Sequence, residues 1–173
     1  VYFEKMCEFY SRISKTKFTA LRRSNVFGPH DTFDLDKSHL CSATIKKVYD
    51  FTGKKNTITV WGNGTEKRDL IFVDDLVNAV KLIISKQKKS YEIFNIGSSN
   101  GISVKELVKK IIKISGKKIK IIFDRNKPTN KFSVRLNCTK AKKILGWKQN
   151  FNLNTALRIT SDWYKKNYLN DEK

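Results

Sequence analysis

The run Trp61-Gly62-Asn63-Gly64-Thr65-Glu66-Lys67-Arg68-Asp69-Leu70-Ile71-Phe72-Val73-Asp74-Asp75-Leu76 constrains this chain more than any other stretch. Gly62 and Gly64 let the backbone turn and come close to a neighbouring group, a ligand included. Arg68 follows at a fixed offset, and its planar fork of donors matches a diphosphate. Leu70 to Val73 reads as an apolar strand, Asp74 as a cap, and Asp75 to Ser85 as a helix. A plainer reading makes Trp61 core, the glycines a surface turn and Arg68 the ion-pair partner of Asp69. Each element alone leaves both readings open, whereas the ordered string favours the ligand site.

The rest of the chain alternates strands and helices without repeats or low-complexity linkers, which predicts an α/β fold. Glu4 to Ile13 is expected as helix, Phe18 to Arg22 as a buried strand and Asn25 to Pro29 as a loop. Asp36 to Tyr49 reads as a helix, with Leu40, Ala43, Thr44 and Val48 on one face. Thr57 to Trp61, Asp69 to Val73 and Glu92 to Ile96 read as strands. Ser103 and Glu106 form a capping box that opens a helix to Ser115, stopped by Gly116. Lys118 to Phe123 alternates like a half-exposed strand, and Thr139 to Leu145 and Asn154 to Leu169 close the chain as helices.

Taken together, Trp-Gly-x-Gly-Thr-x-x-Arg-Asp-hydrophobic-x-x-Val-Asp-Asp-Leu resembles the nucleotide-sugar epimerases, dehydratases and reductases of the extended short-chain dehydrogenase family. Leu21-Arg22-Arg23-Ser24-Asn25-Val26-Phe27-Gly28-Pro29 is similar to the family's strand-to-loop segment beside the nicotinamide, and Phe94-Asn95-Ile96-Gly97-Ser98 to a late strand of its sheet. Ser103 to Leu107 and Thr139 to Trp147 match its substrate-domain helices, so the likeness is colinear over nearly the whole chain. The family's opening Gly-x-x-Gly-x-x-Gly phosphate loop and its Tyr-x-x-x-Lys pair have no counterpart in these residues. Glu4, Cys7, Glu8, Phe9 and Tyr10 align with the helix that follows the family's catalytic lysine. The resemblance therefore implies the C-terminal half of such an enzyme, inactive alone, comprising the C-terminal part of a Rossmann-type parallel sheet and a small α/β substrate-binding domain. Residues 1–27 and 69–98 would be the remnant of the NAD(P)-binding unit, and 28–68 and 99–173 the nucleotide-sugar unit. The apolar face of residues 2–13 and the strands near Phe18 and Phe94 would then lack neighbours.

Within the family the GDP-fucose synthase branch is the most similar, and it implies roles for particular residues. Both histidines fall in Gly28-Pro29-His30-Asp31-Thr32-Phe33-Asp34-Leu35-Asp36-Lys37-Ser38-His39. His39 matches the branch's histidine near cofactor and sugar; with an ordinary pKa near ~6.5 it can move a proton during inversion beside a keto group. The alternative is a helix-start histidine with only local hydrogen bonds, and His30 is assigned to loop architecture. Arg23, Ser24, Asn25, Val26 and His39 are implied as cofactor contacts, toward NADP or NAD held mainly by the N-terminal half. Lys47, with Lys46 as the weaker match, joins Trp61, Arg68, Asp124, Lys127 and Arg135 as implied substrate contacts. Asp124 and Lys127 stand in an Asp-x-x-Lys-Pro loop, and Arg135 in Ser133-Val134-Arg135-Leu136-Asn137, where the family commonly has Asp in place of Asn137. A 4-epimerase or 4,6-dehydratase remains the second reading inside the family. The complete protein is expected to be a homodimer.

Charge supplies the competing class. Thirty-six Lys and Arg against 16 Asp and Glu give a net +20, and such a field attracts nucleotides, nucleic acids and acidic membranes alike. Pairs such as Lys88-Lys89 and Lys117-Lys118 are scattered, and no nucleic-acid fold motif accompanies them, so neither a specific nucleic acid nor a membrane is the expected partner. A non-catalytic, polyanion-binding or structural module is the alternative. Cys7, Cys41 and Cys138 are odd in number and lack Cys-x-x-Cys spacing, which argues against a disulfide framework and a bound metal and points to a reducing cytoplasm. No stretch approaches the ~18 apolar residues of a membrane span.

Overall fold

The computed structural model describes residues 1–52, 57–127, 133 and 135–169. The elements run in the order α1 (Tyr2–Ile13), β1 (Phe18–Arg23), β2 (Asn25–Phe27), α2 (Leu40–Tyr49), β3 (Thr57–Trp61), β4 (Lys67–Phe72), α3 (Val73–Lys86), β5 (Tyr91–Ile96), β6 (Gly101–Ser103), α4 (Val104–Ser115), β7 (Lys120–Asp124), α5 (Thr139–Leu145) and α6 (Leu153–Tyr164), with a π-helical turn over Lys165–Leu169. The fold is α/β with mostly parallel strand pairing, as the alternation predicted.

β1 pairs in parallel with β5, from Phe18 opposite Tyr91 to Arg23 opposite Ile96. At Ser24, whose N–H still reaches the Ile96 carbonyl at 3.0 Å, the chain leaves β5 and continues as β2 beside β4. The segment expected as a loop from Asn25 is thus a strand for three residues, because β4 offers it a ladder that lies 45 positions away in sequence. β6 adds antiparallel to the start of β4, and β3 pairs in parallel with β7.

Period-two alternation in β4 feeds two cores at once. Leu70 and Phe72 pack into a cluster with Phe27, Ile45, Ile58, Leu107 and Leu157, whereas Ile71 between them packs with Ala79, Phe94, Leu145 and Trp147. Phe94 is 0 % exposed, covered by α5, so the expectation that its strand lacks neighbours fails there. It holds for α1, where Tyr2, Phe3, Phe9 and Ile13 are all exposed.

Two helix starts differ from expectation. α2 begins at Leu40 rather than Asp36, because the Asp34 carbonyl accepts from the Lys37 and Ser38 N–H groups and its side chain from that of Asp36, closing a local turn first. α3 begins at Val73 with Phe72 as N-cap and no side-chain cap; Asp74 is exposed inside the first turn, where its charge suits the helix dipole.

Candidate functional site

The glycine loop is pinned by β7 on one side and the start of α4 on the other. Gly62 and Gly64 have φ of 76° and 71°, a region that favours glycine. Gly62 N–H donates to the Asp124 carbonyl at 2.7 Å, and the Gly64 and Glu66 carbonyls accept from Lys105 and Val104 at 2.9 and 3.0 Å. A Cβ on Gly64 would stand 2.5 Å from the Phe123 ring, so the close approach is to β7 of the protein itself rather than to a ligand. Asn63 closes the turn by accepting from the Thr65 N–H and hydroxyl.

This pinning fixes Trp61 and Arg68 at one cavity of about 290 Å³ between α2, β3 and the start of α4. Lys47 lines it too, opposite apolar walls that include Val60, Val104 and Val108. Trp61 is 55 % exposed, not core, and the Lys127 ammonium lies 5.7 Å from its ring centroid, within cation–π range. Arg68 does not pair with Asp69. Its guanidinium has a single long bond among the described residues, to the Lys67 carbonyl at 3.5 Å, while Asp69 points inward. Lys46 turns away from this cavity, to Asp50 at 2.6 Å and the Tyr164 hydroxyl.

A second cavity of about 320 Å³ lies on the other side of the α2 start, bordered by Arg23, Val26, Gly28, His30, Asp31 and His39. Ser38 and Leu40 line the first cavity and His39 the second, so the extended backbone at His39 (φ −73°, ψ 163°) divides successive side chains between the two. The His39 side chain makes no capping bond. His30 takes a left-handed backbone (φ 64°) and its ring sits 4.9 Å from Trp163, in keeping with loop architecture. Ser24 is buried, its hydroxyl beside the position a Gly97 Cβ would take, and the Asn25 amide donates to the Asp69 carbonyl at 3.1 Å. Of the five implied cofactor contacts, Arg23, Val26 and His39 therefore border a cavity, and Ser24 and Asn25 join strands. Burial pushes the Cys41 thiol well above its ordinary range, with nearby Asp31 adding to the shift, so it is no nucleophile.

The remaining implied contacts separate. Asp124 makes an Asx turn, its side chain accepting from Asn126 at 3.1 Å and its carbonyl from Gly62 and Lys127. Pro128 of that motif and Val134 lie outside the described residues. Arg135 is exposed, with its aliphatic stem against Gly101, and lines neither cavity. Asn137 accepts from Thr139 N–H through its side chain and from Asn95 through its carbonyl, a joining role between β5 and α5. Sequence reasoning missed Glu66 and Ser38, both lining the first cavity; Glu66 could have been found from its two-residue offset to Arg68 along an extended run. Among the described residues no cluster of three or more His, Cys, Asp or Glu could hold a metal, and no helix is long and apolar enough to cross a membrane.

Known proteins share this fold. The model of the NAD dependent epimerase/dehydratase family matches residues 1–97. The GDP-L-fucose synthase of Escherichia coli (strain K12) is 28 % identical over 94 % of this chain and 53 % of its own length. A solved UDP-glucose 4-epimerase of Thermotoga maritima superposes with a TM-score of 0.80 at 31 % identity, over 94 % of this chain and 50 % of that one. A GDP-L-fucose synthetase of Naegleria fowleri, 18 % identical, shares the fold with a TM-score of 0.83, over 96 % of this chain and 53 % of its own. The chain belongs to the NAD dependent epimerase/dehydratase family, whose fold is Rossmann-like. It spans about half the length of the curated relatives it matches.

Proposed function

We propose that the chain is the substrate-binding part of a nucleotide-sugar epimerase/reductase of the GDP-fucose synthase kind, acting on a nucleoside-diphosphate keto-sugar. The observation that carries this reading is the gathering of Lys47, Trp61 and Arg68 at one apolar-walled cavity, with His39 at a second across the same helix start. Arg68 and Lys47 would hold the diphosphate, and Trp61, backed by Lys127, would offer a flat face to the nucleotide sugar. His39 would donate or accept the proton at the carbon beside the keto group.

A nicotinamide dinucleotide, NADP or NAD, supplies hydride chemistry when bound. Arg23, Val26 and His39 suit one end of it, but the sequence contains no Gly-x-x-Gly-x-x-Gly turn for its pyrophosphate, so the fit is partial and most of the cofactor is held outside these residues. Residues 1–27 and 69–98 then form the cofactor side and 28–68 and 99–173 the substrate side of a cytoplasmic enzyme that is a homodimer when complete. The likeness to the Thermotoga maritima epimerase favours a second reading, a 4-epimerase, for the same cavities.

Titration of a nucleotide sugar into the chain, followed by tryptophan fluorescence at exposed Trp61, tests the site. Saturable quenching is expected, weakened by roughly 1.5–3 kcal/mol in Arg68→Ala, the usual worth of a hydrogen bond to a charged group. Absence of saturable binding overturns the reading. In a protein completed by its cofactor side, His39→Ala should slow epimerisation by about 100- to 10,000-fold with little change in affinity. The chain alone should show no NAD(P)-dependent turnover, and turnover by pure material would contradict the assignment.

A further inference from the structure

A third cavity, of about 470 Å³, lies between the β4–β6 pair and the loop that leads into α6. It is larger than either cavity described above and shares no lining residue with them. Its volume falls within the range of about 300–1,000 Å³ that small-molecule sites occupy.

Its chemistry differs from theirs. Leu70, Ile102 and Leu153 supply apolar wall, and four carboxamides, those of Asn100, Gln149, Asn150 and Asn152, stand among them. No charged residue lines the cavity, in a chain that is 30 % charged. A phosphate or carboxylate would leave water there without a counter-charge, so the cavity suits a neutral ligand. The carboxamides are also open to one. Asn100 and Asn150 bond through their backbones alone among the described residues, Asn152 uses its side-chain oxygen on the Thr155 N–H, and Gln149 uses its amide N–H on the Phe151 carbonyl. A carboxamide sets N–H donors beside a carbonyl acceptor, which matches two neighbouring hydroxyls, each able to donate and to accept. A wholly apolar ligand would strip water from those amides and return no bonds. A saccharide meets both demands, with hydroxyls for the carboxamides and C–H faces for the aliphatic wall.

Both rims are fixed from behind by buried carboxylates. Asp69 accepts from the Ser98 N–H at 2.8 Å and hydroxyl at 2.7 Å, and Asp75 accepts from the Asn150 N–H at 2.7 Å and the Phe151 N–H at 3.3 Å. The backbone that carries the carboxamides is therefore held before a ligand arrives, which lowers the ordering cost of binding.

We infer that this cavity is a binding site for a neutral saccharide, a hexose or a short oligosaccharide, separate from the cavities assigned to the nucleotide sugar and its cofactor.

Titration of the ¹⁵N-labelled chain with D-glucose, D-galactose, D-mannose and maltose, followed by NMR, tests it, with D-glucuronate as the charged control. At least one neutral sugar should give saturable, millimolar shifts of the Asn100 and Asn150 carboxamide signals and of the Ile102 amide, whereas glucuronate should not saturate them. Asn100→Ala and Asn150→Ala should each weaken that binding about 2- to 12-fold, the usual worth of one neutral hydrogen bond. Neither change removes a backbone bond, since Asn150 reaches Asp75 through its N–H, and the rest of the spectrum reports that the variants are folded. The wild-type series decides if they are not. No saturable shift with any of the four sugars, an equal response to glucuronate, or unchanged affinity in both folded variants overturns the inference. So do saturable shifts at the Trp61 indole in place of the carboxamides, which would put the sugar in the first cavity.

Discussion

Two buried aspartates hold the site's frame. Asp69 is 2 % exposed; one oxygen accepts from the Ser98 N–H at 2.8 Å and hydroxyl at 2.7 Å, the other from the Leu136 N–H at 3.1 Å. Arg68 and Asp69, adjacent in a strand, therefore serve opposite sides: one faces the cavity and the other ties β4 to the loops after β5 and before α5. Asp75 does the same for the segment before α6, accepting from Asn150 at 2.7 Å and Phe151 at 3.3 Å, while its carbonyl accepts from the buried Trp147 indole. Asp69→Ala strands two backbone donors and should cost about 3 kcal/mol, read by urea unfolding, since each unmatched buried donor costs about 1–3 kcal/mol. A loss below about 1 kcal/mol would mean that water replaces those bonds freely.

Among the elements, α4 is closed at both ends by its own sequence. The Ser103 hydroxyl accepts from the Glu106 N–H at 3.2 Å, the Glu106 carboxylate accepts from the Ser103 N–H at 3.0 Å, and Gly116 ends the helix at φ 71°. Hydrogen bonds from the Ser103 hydroxyl and then its N–H hold the Glu106 carboxyl below its ordinary 4.5. A carboxyl depressed in the folded state contributes stability that is whole above its ordinary pKa and is lost as pH falls through the folded value. The Arg22 fork on Glu4, the first of its causes, acts in the same direction between α1 and β1. Melting temperature should therefore fall as pH drops below about 4.5, and the gap between wild type and Glu106→Gln should narrow over the same range. A gap independent of pH would remove the carboxylate from the cap. Ser103→Ala should cost about 1 kcal/mol at neutral pH.

Over the whole molecule, the basic residues behind the net +20 are scattered along the chain, and Lys105, Lys109 and Lys113 on α4 and Lys140 and Lys142 on α5 are all exposed. Such a surface attracts polyanions without reading them. Binding to duplex DNA should lose about three orders of magnitude or more between low and moderate salt if many phosphates are met, and fluorescence anisotropy across a salt series measures it. Sequence-selective binding that survives physiological salt would favour a nucleic-acid module instead.

By itself the sequence determined what is enforced within a few residues. The strand Thr57–Trp61, the helix Thr139–Leu145, the Ser103 capping box and the stop at Gly116 stand where their local patterns put them. The long helix expected to Leu169 instead leaves α-geometry at Lys165, where Tyr168 stacks on Tyr164, rings 5.0 Å apart, and packs against Phe33. Tertiary structure alone decided which side of a turn a side chain serves. β2 and β6 are three residues each and exist because β4 lies between them; the Asp75 carboxylate finds its donors 75 and 76 residues away; His39 and Lys47, about two helical turns apart, face different cavities. Propensity and capping act through hydrogen bonds that span about four residues, whereas these arrangements are set by which surfaces the packed chain brings together.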